Sequence, residues 1–280
     1  MKDKVVVITG STSGVGRAAA IELARKGASL LLIARHPGRA METEREIRER
    51  SGNKAVTSFF ADLSSLSEVK RVAGEILEHT PRIDVLINNA GVVQRSRTTT
   101  VDGFETTFAT NHLAYYLLTR LLLGRIRQSP PARIVNVASE AHRRAVLDFD
   151  DLQNERHYRV FATYGRSKLA NLMFTYELAR QLENSGVTAN ALHPGWVATR
   201  LGMDDGLLSR AVSVVSRVFA RPPERGADTA VWLASSPEAA GVSGKYFVDR
   251  HEIQSNAASR DGEAQRRLWE VSARMVGLQP

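Results

Sequence analysis

Tyr164 and Lys168 stand four residues apart in the run Tyr-Gly-Arg-Ser-Lys, inside a helical pattern that continues through Leu169, Leu172, Met173 and Leu178. Residues four apart stack on one helix face, so a phenol and an ammonium come side by side. A free tyrosine has a pKa near ~10 and is a poor acid or base at neutral pH. A neighbouring cation favours the phenolate and lowers that pKa. Such a tyrosine can pass a proton to or from a substrate oxygen. Of the six tyrosines, only Tyr164 has a lysine four residues on. The same spacing also fits a core tyrosine followed by a solvated lysine, so the surrounding elements must decide.

The first of those elements is a phosphate-binding candidate. Residues 4–9 are a short β-branched run, expected of a strand buried on both faces. Gly10, Ser11, Thr12, Ser13, Gly14, Val15 and Gly16 follow, and a helical pattern then runs from Ala18 to near Gly27. Glycines let the chain turn sharply and let a ligand approach the backbone. A helix N-terminus offers unpaired N–H groups and the positive end of a dipole to a phosphate. The next buried run, residues 29–34, ends at Arg35. In dinucleotide-binding folds an acid at this place binds the ribose hydroxyls and repels a 2′-phosphate. Arg35 stands there instead, which predicts NADP(H) as the preferred cofactor, with NAD(H) left as the alternative.

Further strands are expected near residues 54–60, 83–88, 133–139, 187–193 and 244–249, with helices over 67–79, 104–127, 164–178 and 262–275. The charged stretch 42–50 has i,i+4 spacing of opposite charges and reads as a solvated helix face. Strands alternating with helices predict an α/β fold: a doubly wound, Rossmann-like parallel sheet with helices on both faces, in one domain spanning 1–280. Ligands of such sheets bind beyond the carboxyl ends of the strands. Gly10, Arg35, Asp62, Asn89, Ser139 and Pro194 all fall at such ends.

The composition narrows the function classes. The chain has 280 residues, 43% hydrophobic and 24% charged, with no cysteine. That composition is ordinary for a globular protein and excludes a disulfide framework or a thiolate site. No apolar run reaches the ~20 residues of a membrane span, and no anchor or signal segment leads the sequence, so a cytoplasmic location is expected. The net charge of +8 is scattered among glutamates rather than gathered in a stripe, which argues against nucleic acid as a partner. His112, His142 and His193 lack metal-ligand spacing, and no metal is expected.

These motifs, in this order, resemble the short-chain dehydrogenase/reductase family. Its glycine motif matches residues 9–16, its Asn-Asn-Ala-Gly matches 88–91, its strand-end serine is Ser139, its Tyr-x-x-x-Lys is Tyr164 to Lys168, and its Pro-Gly is Pro194-Gly195. The resemblance implies a tetrad of Asn111, Ser139, Tyr164 and Lys168. Tyr164 would exchange the proton, Ser139 would hold the substrate oxygen, Lys168 would hold the nicotinamide ribose and depress the Tyr164 pKa, and Asn111 would keep a relay water. It also implies that Leu63, Ala90, Gly91, Val197 and Thr199 join the turn residues, Arg35, Asp62, Asn89, Pro194 and Gly195 around the cofactor. The stretches at 111–113, 137–142, 149–152, 167–171 and 192–195 are similar to the retinol-dehydrogenase-like branch, as is the long interval from Ser139 to Tyr164. A substrate lid is expected over about 199–225, apolar enough for a lipophilic alcohol or carbonyl. Relatives of this kind often form homodimers or homotetramers. Two other functions fit the same motifs: a non-catalytic NAD(P)H sensor or scaffold, and a C=C reductase of the protochlorophyllide-reductase type.

Overall fold

β-Branched and leucine-rich runs, with no polar face to give to water, become the strands of a buried sheet. The computed structural model describes residues 1–195 and 221–280. Its strands are β1 (Val5–Thr9), β2 (Ser29–Ala34), β3 (Val56–Phe60), β4 (Val85–Asn88), β5 (Ala132–Val137), β6 (Val187–Leu192), β7 (Tyr246–Val248) and β8 (His251–Glu252). Its helices are α1 (Gly14–Arg25), α2 (Pro37–Ser51), α3 (Leu66–His79), α4 (Ala114–Arg127), α5 (Val160–Gln181), α6 (Pro223–Ser235) and α7 (Gly262–Met275). The strands form one sheet in the order β3-β2-β1-β4-β5-β6-β7-β8. All pairings are parallel except β7 with β8. The chain winds outward from β1 to β3, then returns to β4 on the other side of β1. A ligand crevice opens where the winding reverses, between β1 and β4.

Successive strand residues point to opposite faces, and the core divides accordingly. Val6, Ile8, Leu30 and Leu32 pack with α1 and α6 on one face. Val7, Leu31, Ile33, Leu86 and Ile134 pack with α3, α4 and α5 on the other. The doubly wound architecture expected from the sequence is the one that forms. The C-terminal helix α7 lies over α5 and α4: Trp269 stacks on Phe174 at 5.8 Å and meets Tyr116 edge-on at 4.9 Å.

Several local features differ from the expectation. The helix expected over 104–127 is interrupted: one turn at Thr106–Phe108 opens into a π segment, Ala109–Leu113, before α4 begins. Strand β5 stops at Val137, and Ser139 instead caps a 3₁₀ turn, Glu140–Arg144. β8 was not anticipated, because Asp249 and Arg250 carry no glycine or asparagine signal for a two-residue hairpin. Both adopt positive φ, 49° and 64°. Tertiary contacts hold them there: Arg221 Nη1 donates to Asp249 at 2.5 Å, and Arg250 pairs with Asp228. The expected lid falls mostly on residues 196–220, outside the described residues; its last part, Pro223 onward, opens α6.

A buried polar chain ties the middle of the sheet to the helices that carry the site. Asn88 Nδ2 donates to Thr119 Oγ1 at 3.0 Å and to Asn136 Oδ1 at 2.9 Å. Asn136 Nδ2 donates to Thr175 Oγ1 at 2.9 Å, and that hydroxyl donates to Asn171 O. All four side chains are fully buried. The first asparagine of the Asn-Asn-Ala-Gly run therefore joins β4, β5, α4 and α5. Removing one link strands its neighbours without water. Asn136→Ala is expected to destabilise the protein by about 2 kcal/mol, read as a lower urea midpoint at unchanged slope.

Candidate active site

The glycine turn is shaped by contact, not only by flexibility. A Cβ on Gly10 would meet Ala90 Cα at 2.7 Å, and one on Gly16 would meet Asn89 Nδ2 and Gly10 O at 2.4 Å. Gly10 and Gly14 also take positive φ, 65° and 53°. Asn89 is the clamp: its Nδ2 donates to Thr9 O at 2.9 Å and to Gly10 O at 3.0 Å. Thr9 Oγ1 accepts from the Asn89 and Ala90 N–H groups at 2.8 and 2.9 Å. The β1 and β4 ends are thereby locked together beneath the turn. At the start of α1, Ser13 keeps its hydroxyl out of the cap and no carboxylate occupies the first turn. The N-terminal amides of α1 are left for a ligand.

A cleft of about 1340 Å³ opens at these strand ends. Gly10, Thr12, Ser13, Gly14, Val15, Arg35, Asp62, Leu63, Asn89, Ala90, Gly91, Pro194 and Gly195 all line it, as do Ser139, Tyr164 and Lys168. Three expected residues sit behind the wall. Ser11 is fully buried under the turn, Gly16 faces Asn89, and Asn111 lies beneath Val92. Val197 and Thr199 lie outside the described residues. Arg39, in the first turn of α2, shares the Arg35 end of the cleft. Sequence reasoning passed over it, though a second arginine four residues after Arg35 at a helix start was a visible signal.

Tyr164 and Lys168 do come together, but not as a phenol beside an exposed ammonium. Lys168 is buried, and its Nζ donates to Val137 O at 2.9 Å, which ties α5 to the end of β5. Nζ lies 5.7 Å from the Tyr164 ring centroid and 5.5 Å from that of Tyr115. Among the described residues no carboxylate pairs with it. Burial drives its pKa down from the ordinary lysine value to about 7. Burial also raises the Tyr164 phenol above its usual range, and the Ser139 hydroxyl beside it pulls the other way. The lowering of the Tyr164 pKa expected from Lys168 does not appear in the protein alone, where burial raises the phenol.

Asn111 occupies the π segment. Its Nδ2 donates to Val92 O and Ser167 Oγ, both at 3.0 Å, and its Oδ1 accepts from Val92 N at 2.8 Å. Both amide hydrogens are thus committed. Its Oδ1 would lie 3.4 Å from a Cβ on Gly91, whose lack of side chain also leaves room for Lys168 Nζ. Asn111 packs beneath Gly91 and Lys168, which line the cleft. Val92, Val93, Val146 and Phe161 also line the cleft, with Val146 68% and Phe161 85% exposed.

Among the described residues no helix is long and apolar enough to cross a membrane. The short chain dehydrogenase family model matches residues 4–206. Human retinol dehydrogenase 14 is 44% identical over 99% of this chain and 88% of its own length. Human retinol dehydrogenase 13 is 42% identical over 99% and 85%. The crystal structure of an uncharacterized protein from Mycobacterium paratuberculosis superposes with a TM-score of 0.80 at 30% identity, covering 99% of this chain and 95% of that one. With the glycine turn, Ser139, Tyr164 and Lys168 gathered on one cleft, these matches give the family: the chain belongs to the short-chain dehydrogenases, is similar to their retinol dehydrogenases, and is an oxidoreductase acting on CH–OH groups.

Proposed function

We propose that this protein interconverts a lipophilic alcohol and its aldehyde or ketone with NADP(H), using Tyr164 as the acid/base. The observation that carries the reading is the meeting of Ser139, Tyr164 and Lys168 on the wall of the cleft that the glycine turn opens. The family binds NAD(P)(H), and the chain's residues fit such a dinucleotide. Gly10 and Gly16 let the turn pack against Asn89 and Ala90, where any Cβ would clash, and the α1 amides await a phosphate. Arg35 and Arg39 both line the cleft and are exposed, and either could meet an adenosine 2′-phosphate, Arg35 by giving up its bond to His36 Nε2. When bound, the nicotinamide supplies or accepts the hydride.

The protein's part is position and protons. Ser139 caps its 3₁₀ turn with the hydroxyl, which accepts from Ala141 N at 3.3 Å and keeps its own proton free to donate to a carbonyl oxygen. Tyr164 stands beside it to give that oxygen a proton in reduction, or to take one in oxidation. Lys168, with a pKa near neutrality, exchanges charge in the working pH range and can refill the phenol. The Asn111 amide hydrogens are committed to Val92 and Ser167, so a relay water behind Lys168 would be held by backbone carbonyls of the π segment. The apolar side chains of Val92, Val93, Val146 and Phe161 in the cleft lining favour a hydrocarbon substrate.

Tyr164→Phe is expected to lower turnover by about 10²–10⁴-fold while NADPH binding, followed by fluorescence, stays unchanged; near-wild-type rates on an aldehyde panel would remove Tyr164 from the mechanism. Arg35→Asp should cut the NADPH-over-NADH ratio of kcat/KM by at least about tenfold; an unchanged ratio refutes the cofactor assignment. Lys168 also makes a stability prediction. Its folded pKa of about 7 lies below the unfolded value, so between about 7 and about 10.4 the unfolded chain binds more protons. This burden is full below pH 7 and fades as pH rises through that window. Lys168→Met is expected to abolish turnover yet melt higher than wild type at neutral pH, with the gap closing by pH 10. A gap that is constant across this range would show that Lys168 does not titrate there.

A further inference from the structure

Ser139 is held on its near side by β5 and faces Tyr164, and the turn after it touches α5. A Cβ on Gly165 would meet Ala141 O at 2.7 Å, so α5 passes against that turn one residue beyond Tyr164. The turn's far side is held by a residue from the C-terminal segment. His142 is fully buried with its ring edge on Tyr246 at 5.1 Å. Its Nδ1 lies 2.7 Å from Ser139 O, and its backbone N–H donates to the same oxygen at 3.1 Å. The Asn256 backbone N–H donates to His142 Nε2 at 3.4 Å. That bond fixes the tautomer: Nε2 accepts, so Nδ1–H donates to Ser139 O. Burial lowers the His142 pKa, in keeping with a neutral ring.

The Asn256 side chain then closes the arrangement. Its Nδ2 donates to His142 O at 2.9 Å, Ala145 O at 3.2 Å and Arg143 O at 3.5 Å. Its Oδ1 accepts from Ser259 N at 3.1 Å, capping a short 3₁₀ helix at Ala257–Arg260. One amide thus gathers three carbonyls at the end of the Ser139 turn, those of His142, Arg143 and Ala145, and fastens them to the chain beyond β8. We infer that Asn256 is a positioning residue for the reaction: through His142 and the Glu140–Arg144 turn it sets where the Ser139 hydroxyl stands against Tyr164. The inference rests on the role proposed for Ser139. A group that fixes a donor to within about an ångström of its working place can carry a large factor in rate without touching substrate.

A double-mutant cycle on the full chain tests it, with Asn256→Ala, Ser139→Ala and the pair, assayed for aldehyde reduction by NADPH. Asn256→Ala is expected to lower kcat by about tenfold or more, with the NADPH dissociation constant within about twofold of wild type. In the Ser139→Ala background the same substitution is expected to cost almost nothing further, because its effect runs through that hydroxyl. Asn256→Asp keeps the acceptor that caps Ser259 and loses the donor to the carbonyls, so it should follow Asn256→Ala and decides the matter if the alanine variant does not fold. Unchanged kcat in the Asn256 variants, or equal fold losses with and without Ser139, overturns the inference. If Ser139→Ala alone keeps wild-type kcat, the role of Ser139 itself fails, and that result is distinct from a failure confined to Asn256.

Discussion

A buried ammonium with no anionic partner among the described residues is the constraint around which this site is built. Lys168 reaches through the protein to a single carbonyl, Val137 O, and sits between the rings of Tyr115 and Tyr164. Such a group is costly in a low-dielectric interior, and the pKa of about 7 expresses that cost. Everything near it accommodates the placement. Gly91 has no side chain to crowd it, the π segment swings Asn111 beneath it, and α5 is long enough to bring Tyr164 and Lys168 onto one face against β5. A protein that only needed a stable core would fill this place with leucine. Under the function proposed above, retaining an amine here gives up stability for proton chemistry.

The second constraint is close backbone approach. Thr9, Gly10, Asn89 and Ala90 are joined by short hydrogen bonds at the β1–β4 switch, and the glycines leave no Cβ between them. The lock does two things at once. It fixes the turn as a rigid concave surface, and it ties that surface to the strand whose other neighbour, β5, ends near Ser139. The buried chain from Asn88 through Asn136 to Thr175 extends the same coupling into α4 and α5. The glycine turn and the Tyr164–Lys168 pair are thus held in one rigid frame, as positioning of reactants requires.

The C-terminal segment belongs to this frame as well. Ser272 of α7 meets His112 Nε2 at 2.8 Å, next to Asn111, and Asn256 meets His142, next to the Ser139 turn. Both histidines are fully buried, and burial drives the His112 pKa down to about 4. Each is a neutral spacer between a cleft-side segment and the C-terminal part of the chain. Residues far apart in sequence thereby support both sides of the cleft.

Much was legible in the sequence because it follows from local rules. Buried strands announce themselves as unbroken β-branched runs, glycine spacing marks the turn, and the i,i+4 pairing places Tyr164 over Lys168 whatever the rest of the chain does. The strand-end positions of Gly10, Asp62, Asn89, Ser139 and Pro194 followed from the same alternation, and so did α7 to the residue. What the sequence could not state depends on surroundings supplied by distant residues. The burial that raises the Tyr164 pKa, the π segment at Asn111, the Asp249–Arg250 hairpin held by Arg221 and Asp228, and the clasp of Asn256 on His142 are all set by contacts across the fold. Side-chain type and spacing determine which groups can do chemistry; the solvent each group loses, and the partner it gains, exist only once the chain has closed around it.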